Sequence, residues 1–199
     1  MLKSNALVIF VKNARLGHVK TRLAYSLGEE KALSIYLALC ERVRNVSLAF
    51  SGNCYVYYSE YIPSEPDVWD YDFFIKRKQH AGSDLGLRMK TAFDELLPSH
   101  SSVRLIGTDI PHLSTDLLEE SILSLKAADV VLGPSDDGGY YLIGMKKPND
   151  YLFYDMTWSV DSVLSETIQR RGMKNKTYHL LKKLPDVDTA EDWERHGWF

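Results

Sequence analysis

Ala6-Leu7-Val8-Ile9-Phe10-Val11 is an unbroken apolar run that gives way abruptly to Lys12. A strand with one wet face alternates apolar and polar side chains. Continuous apolarity suits burial on both faces, as inside a parallel sheet covered by helices. Val103 to Thr108, Asp129 to Gly133, Cys54 to Tyr58 and Tyr140 to Met145 also read as strands. Between strands the spacing turns helical. From Glu29 to about Ala49, apolar residues fall at Leu33, Tyr36, Leu37, Cys40, Val43 and Val46, with Gly28 before them and Ser51-Gly52 after. Ser83 to Leu97 repeats the pattern up to Pro98, and Thr115 to Lys126 follows the capping residues Ser114-Thr115-Asp116. Asp72 to Lys76 and Thr177 to Leu181 are expected as short strands, and Ser159 to Arg171 and Thr189 to Arg195 as the last helices. The alternation predicts one α/β domain over residues 1–199, with a mainly parallel sheet. The strands around Val130 and Tyr141 are close enough in sequence to form an antiparallel pair.

A net charge of −3 argues against a broad nucleic-acid or anionic-membrane footprint, so clustered cations must be read locally. The only cysteines, Cys40 and Cys54, have no CxxC or Cys/His company and are expected as buried thiols in a reducing compartment. The first apolar run is too early and too short for a secretory signal, and no stretch is long enough to span a bilayer. The expectation is a cytoplasmic protein.

Four places could carry chemistry. Asp109 closes the strand from Val103 and meets Ile110-Pro111, which sets a carboxylate at the sheet edge where open α/β folds bind ligands. The second place is the loop after the first strand, with Lys12, Arg15, Gly17, His18, Lys20, Thr21 and Arg22. Close-approaching N–H groups and flexible cations are what phosphate needs. The spacing is neither a Walker loop nor a dinucleotide fingerprint. Third, Gly133-Pro134-Ser135-Asp136-Asp137-Gly138-Gly139-Tyr140-Tyr141 joins two strands. Its Asp and Gly residues suit a turn, yet Asp136 and Asp137 could hold hydroxyls while Gly138 and Gly139 lie flat under a base or sugar. Last, Asp188 and Thr189 suit a helix cap, and Asp188 could share one divalent cation with Asp109 if its segment packs beside that strand. The scattered histidines show no zinc spacing and are expected in surface roles, with phosphate contact for His18 and a place in the Asp109 crevice for His112 as the alternatives.

Several motifs follow one another in a recognisable order: Phe10-Val11-Lys12, Gly17-His18-Val19-Lys20-Thr21-Arg22-Leu23, Gly86-Leu87-Arg88-Met89, Gly107-Thr108-Asp109-Ile110-Pro111, Gly133-Pro134, Asp137-Gly138-Gly139-Tyr140-Tyr141-Leu142, Trp158-Ser159 and Asp186-Val187-Asp188-Thr189. With them the chain resembles small bacterial glycosyltransferase-like proteins of the GT-A, or nucleotide-diphospho-sugar transferase, fold. It is more distantly similar to phospholactate and molybdenum-cofactor guanylyltransferases. The resemblance implies a three-layered, Rossmann-like arrangement of a mainly parallel mixed sheet between helices. It also implies a phosphate loop at Gly17, Lys20 and Arg22 with Lys12 close by, and a Mg²⁺ or Mn²⁺ site at Asp109 that Asp188 can complete. Two departures stand out: Ala14 where such proteins commonly have proline, and a single Asp109 where sugar transferases of this fold usually have Asp-x-Asp.

The expected activity is metal-dependent transfer from a nucleotide-activated donor to a small acceptor. Nucleotidyl transfer from a nucleoside triphosphate to a phosphorylated acceptor, in which pyrophosphate leaves, fits the dense basic loop and lone Asp109. Glycosyl transfer from a nucleotide sugar is the alternative, with Asp136 or Asp137 as base or sugar contact. A non-catalytic nucleotide-binding protein is the contrasting class. Lys12, Gly17, Lys20, Thr21 and Arg22 are the expected phosphate residues, and Asp109, Lys20 and Asp137 the expected catalytic ones.

Overall fold

β1 (Asn5–Val11) lies inside the sheet, paired in parallel with β2 (Asn53–Tyr58) on one side and β4 (Ser102–Ile106) on the other. β3 (Phe74–Lys78) extends the sheet beyond β2. On the other flank β6 (Tyr140–Met145) runs antiparallel between β4 and β5 (Val130–Pro134), and β7 (Tyr178–Leu180) pairs in parallel with β5. The order of the seven strands is β3-β2-β1-β4-β6-β5-β7. The computed structural model describes residues 3–170, 173 and 175–199.

The unbroken apolarity of β1 has the expected cause. Leu7, Ile9 and Val11 face Tyr36, Cys40 and Val43 of α2 (Glu29–Ser47) and Leu118 of α4 (Thr115–Ala127). Ala6 and Val8 face the opposite layer, with Met89, Ala92, Phe93 and Leu96 of α3 (Leu85–Leu96). The result is a mostly parallel α/β sandwich of three layers. A smaller cluster ties α1 (Thr21–Leu27), α2 and α6 (Ala190–His196) together through Leu23, Ile35, Leu39, Val187 and Trp193.

The chain moves outward from β1 through β2 to β3 and then returns to the other side of β1 with β4. The crevice between the ends of β1 and β4 is therefore the switch point at which ligands bind in open α/β sheets. Because β6 is antiparallel, the turn that enters it stands at this same edge.

Local differences from expectation have local causes. Thr21–Leu27 forms its own helix, cut from α2 by Gly28 at φ 85, and seven residues are too few to declare a helical period. β3 lies two residues later than expected, since its start is set by pairing with Cys54 rather than by its own polar sequence. α5 (Val163–Gln169) starts after Ser159, whose φ of 64 breaks the helix there, and the expected end at Arg171 lies outside the described residues. Cys40 and Cys54 are buried free thiols, pushed up to about 12 by burial. No helix among the described residues is long and apolar enough to cross a membrane.

Among the described residues, one charged side chain, Arg104 on β4, is fully buried in the sheet. Its guanidinium donates to Ser121 Oγ at 2.8 Å, Ser102 Oγ at 3.0 Å and Ser121 O at 3.2 Å, and lies 5.9 Å from the centre of the Phe50 ring.

Candidate active site

Lys20 precedes α1 in a left-handed backbone conformation, φ 48 and ψ 49, without a side-chain cap for that helix. For a residue with a Cβ this costs on the order of 1–2 kcal/mol, a strain often found at functional sites. The kink accompanies an inward course of the side chain, whose ammonium meets Asp109 Oδ1, Asp188 Oδ1 at 3.2 Å and Val187 O at 2.6 Å. An ammonium has three protons, and these partners account for all of them. Burial pulls the Lys20 pKa down, but the charges of Asp109 and Asp188 outweigh it and the net shift is upward.

Asp109 and Asp188 converge on the Lys20 ammonium, though not through neighbouring strands. β7 pairs with β5, far from β4. The chain after β7 crosses the sheet edge instead, through a bridge between Leu184 and Ser135 and a bond from Val187 N to Asp109 O at 3.0 Å. Thr189, not Asp188, caps α6, in a reciprocal capping box with Asp192. The Asp188 carboxylate is thus left to face Lys20 and also Arg22, whose Nη1 is 3.4 Å from Asp188 Oδ2.

This cluster stands in a cleft of about 850 Å³. Lys12, Lys20, Thr21, Arg22, Asp109, Asp137, Gly139 and Asp188 line it among the expected residues, and His18 joins them. Lys20 is not the open, phosphate-facing cation that its sequence position suggests: its side chain is 6% exposed, against 48% for Asp109 and 39% for Asp188. Lys12 and Arg22 are the exposed cations at this end. Tyr36 fixes the Lys12 peptide from below: its hydroxyl donates to Lys12 O and accepts from Lys12 N, both at 2.8 Å.

Gly17, Asp136 and Gly138 do not line the cleft. Gly17 serves its turn at φ 73. Asp136 pairs with Lys183 at 3.0 Å. At Gly138, φ 86, an added Cβ would lie 2.1 Å from Asp161 O, so the glycine permits close packing of the chain before α5. Asp137 accepts from Ser135 Oγ at 2.5 Å and Gly139 N at 2.9 Å, which stiffens the turn while leaving the carboxylate at the cleft wall. His112 packs edge-on against His196, with ring centres 5.5 Å apart, rather than lining the crevice.

Sequence reasoning gave no role to Asn13 and Gln79, which also line the cleft. Asn13 is buried, donating to Tyr61 O at 2.8 Å and accepting from Glu60 N at 3.0 Å, which ties the β1 exit to the β2 exit. Gln79 donates to Tyr57 O at 2.8 Å and Val11 O at 3.3 Å and accepts from Arg88 at 3.4 Å. Trp158, present in sequence as part of the Trp158-Ser159 motif, lines the cleft too, edge-on to Tyr140 with ring centres 6.5 Å apart. A buried amide just past a strand end is a weak signal, but it was available at Asn13. Asp186 gave none. Burial, then the nearby charge of Asp137, pushes its carboxyl up to about 6.

Residues 43–160 match the model of a family described as "uncharacterized protein conserved in bacteria (DUF2064)". The chain belongs to this family. The matched region contains Asp109 and Asp137 but neither Lys20 nor Asp188. A search of curated proteins finds no significant match. Among solved structures, the chain is similar to a "putative nucleotide-diphospho-sugar transferase" from Desulfovibrio desulfuricans G20, with 28% identity and a TM-score of 0.83 over 94% of this chain and 84% of the other. It shares its fold with 4-diphosphocytidyl-2C-methyl-D-erythritol synthase from Anaerococcus prevotii, at 13% identity and TM-score 0.58 over 98% and 95% of the two chains. The fold recurs in a manganese complex of Rv0371c from Mycobacterium tuberculosis, at 13% identity and TM-score 0.55 over 98% of each chain.

Proposed function

We propose that this protein is a divalent-cation-dependent transferase acting on a nucleotide-activated donor, with nucleotidyl transfer as its reaction. The observation that carries this reading is the meeting of Asp109, Asp188 and Lys20 at the sheet's switch point, beside the exposed Lys12 and Arg22. Two half-exposed carboxylates converging on one cationic position suit Mg²⁺ or Mn²⁺, which take one or two carboxylates and complete their shell with water and phosphate oxygens. Asp109 and Asp188 would hold the ion, whose chemistry is to offset charge on the reacting phosphates.

The chain's own groups supply the rest. Lys12 and Arg22 bind the β- and γ-phosphates of a nucleoside triphosphate, and the Tyr36 clamp keeps Lys12 aligned. The acceptor oxygen attacks the α-phosphorus and the bond to the pyrophosphate oxygen breaks, with Lys12 and Arg22 stabilising the departing charge. Asn13 and Gln79 keep the donor side of the cleft rigid. Asp137, set by Ser135 and Gly139, contacts the acceptor.

Glycosyl transfer is the second reading, favoured by the similarity to the Desulfovibrio protein. There Asp137 would meet the sugar or take the acceptor proton. Thermal shift against nucleoside triphosphates and nucleotide sugars, each with and without Mn²⁺, separates the two. Cation-dependent stabilisation by triphosphates alone is expected. Stabilisation by nucleotide sugars alone would replace the nucleotidyl reading with the glycosyl one, and no response to either would end both.

A further inference from the structure

The cationic position between Asp109 and Asp188 is already filled by the chain itself. All three Lys20 ammonium protons have partners, and two of these are the carboxylates that would take a divalent cation. The ammonium is buried while the carboxylates reach solvent, so an arriving cation meets the acids first and Lys20 behind them. Like charges sharing the same carboxylates repel, and the gain from binding one is reduced by the presence of the other. The Lys20 side chain is also part of the cleft wall, on the loop that carries Lys12 and just before Arg22 in α1.

We propose that Lys20 is a tethered stand-in for the cation, which a divalent ion must displace from Asp109 and Asp188 and which then turns to the nucleotide phosphates. This rests on the metal-site reading above and adds an order to it. The ammonium keeps the acids from repelling one another in the empty cleft. Once displaced it needs a new anion, and a donor phosphate supplies one. Cation and nucleotide therefore bind with positive coupling, which by linkage is equal in both directions. Lys20 acts here as a positioning residue toward the cation and becomes a phosphate ligand only after displacement.

The experiment measures Mn²⁺ binding calorimetrically, with and without a non-hydrolysable nucleoside triphosphate, for wild type, Lys20→Met and Asp109→Asn. Wild type should bind Mn²⁺ weakly alone and about tenfold more tightly with nucleotide, a usual size for coupling between sites. Lys20→Met should bind Mn²⁺ alone about tenfold more tightly than wild type and keep only the part of the coupling that shared phosphate coordination supplies. A companion measurement on wild type needs no folded variant: acetic anhydride labelling of Lys20, followed by mass spectrometry with Lys126 as internal reference. Mn²⁺ alone should raise Lys20 labelling severalfold, and addition of nucleotide should lower it again. If Asp109→Asn abolishes Mn²⁺ binding but neither Lys20→Met nor the labelling behaves this way, displacement is wrong and the metal site stands. If Mn²⁺ binding is indifferent to Asp109→Asn, the metal site fails and displacement with it.

Discussion

Lys20 and Arg104 are both buried cations, and the protein treats them in opposite ways. Lys20 sits at the carboxyl edge of the sheet, held by two carboxylates and a carbonyl, with its pKa raised by its partners. Arg104 sits within β4, held by serine hydroxyls, a carbonyl and an aromatic face, and burial pushes it down to about 10. Charged partners near water can exchange one cation for another. Neutral partners in a dry core cannot, and any of them lost there leaves a donor stranded. The edge is built for exchange and the interior for permanence.

Four changes test that contrast, beginning with the largest effect. Arg104→Ala should destabilise the fold by about 4 kcal/mol in urea denaturation, from cavity formation and the loss of the guanidinium's hydrogen bonds, without changing nucleotide affinity. Asp109→Asn should do the reverse, lowering cation-dependent nucleotide affinity at least about 100-fold by calorimetry while the fold persists. A stability loss at Asp109 equal to that at Arg104 would erase the distinction. Ser121→Ala, which removes the acceptor for Arg104 Nε, should cost about 1–3 kcal/mol and again spare the cleft.

The smallest effect concerns pH. Asp186 has a carboxyl raised from 3.8 to about 6, by burial first and by Asp137 next. Between those values the folded state holds a proton that the unfolded state has released, so this group's contribution to stability falls as pH rises through the window. Asp186→Asn, measured in chelator by denaturation from pH 4 to 7, should lack that decline and be the more stable protein at the upper end. A variant with the wild-type slope would show that Asp186 titrates normally.

The layers were legible because burial on both faces writes itself directly into β1 as unbroken apolarity. The functional edge was legible in part, since Asp109 and the cations of the first loop lie where strands end. What sequence could not convey was side-chain direction. Lys20 reads like Lys12, another cation on the same loop, and only the left-handed backbone separates the buried one from the exposed one. Asp136 and Asp137 are likewise neighbours of identical type; a turn sends one to Lys183 and the other to the cleft. Asp188 could join Asp109 only if its segment packed beside that strand, and that segment instead crosses the sheet edge without a periodic signature.

The bond between Lys20 and Asp188 joins residues 168 positions apart. The entropic cost of closing a loop grows with its length, so contacts between residues near in sequence, such as the β5–β6 hairpin, can form early at little cost. The bond from Lys20 to Asp188 must wait for the sheet that brings its ends together. During refolding, secondary structure and core fluorescence should therefore recover before the ability to bind ligand. Binding competence becomes a reporter of completed assembly, and a chain lacking its last segment should remain largely ordered and yet be silent to nucleotide.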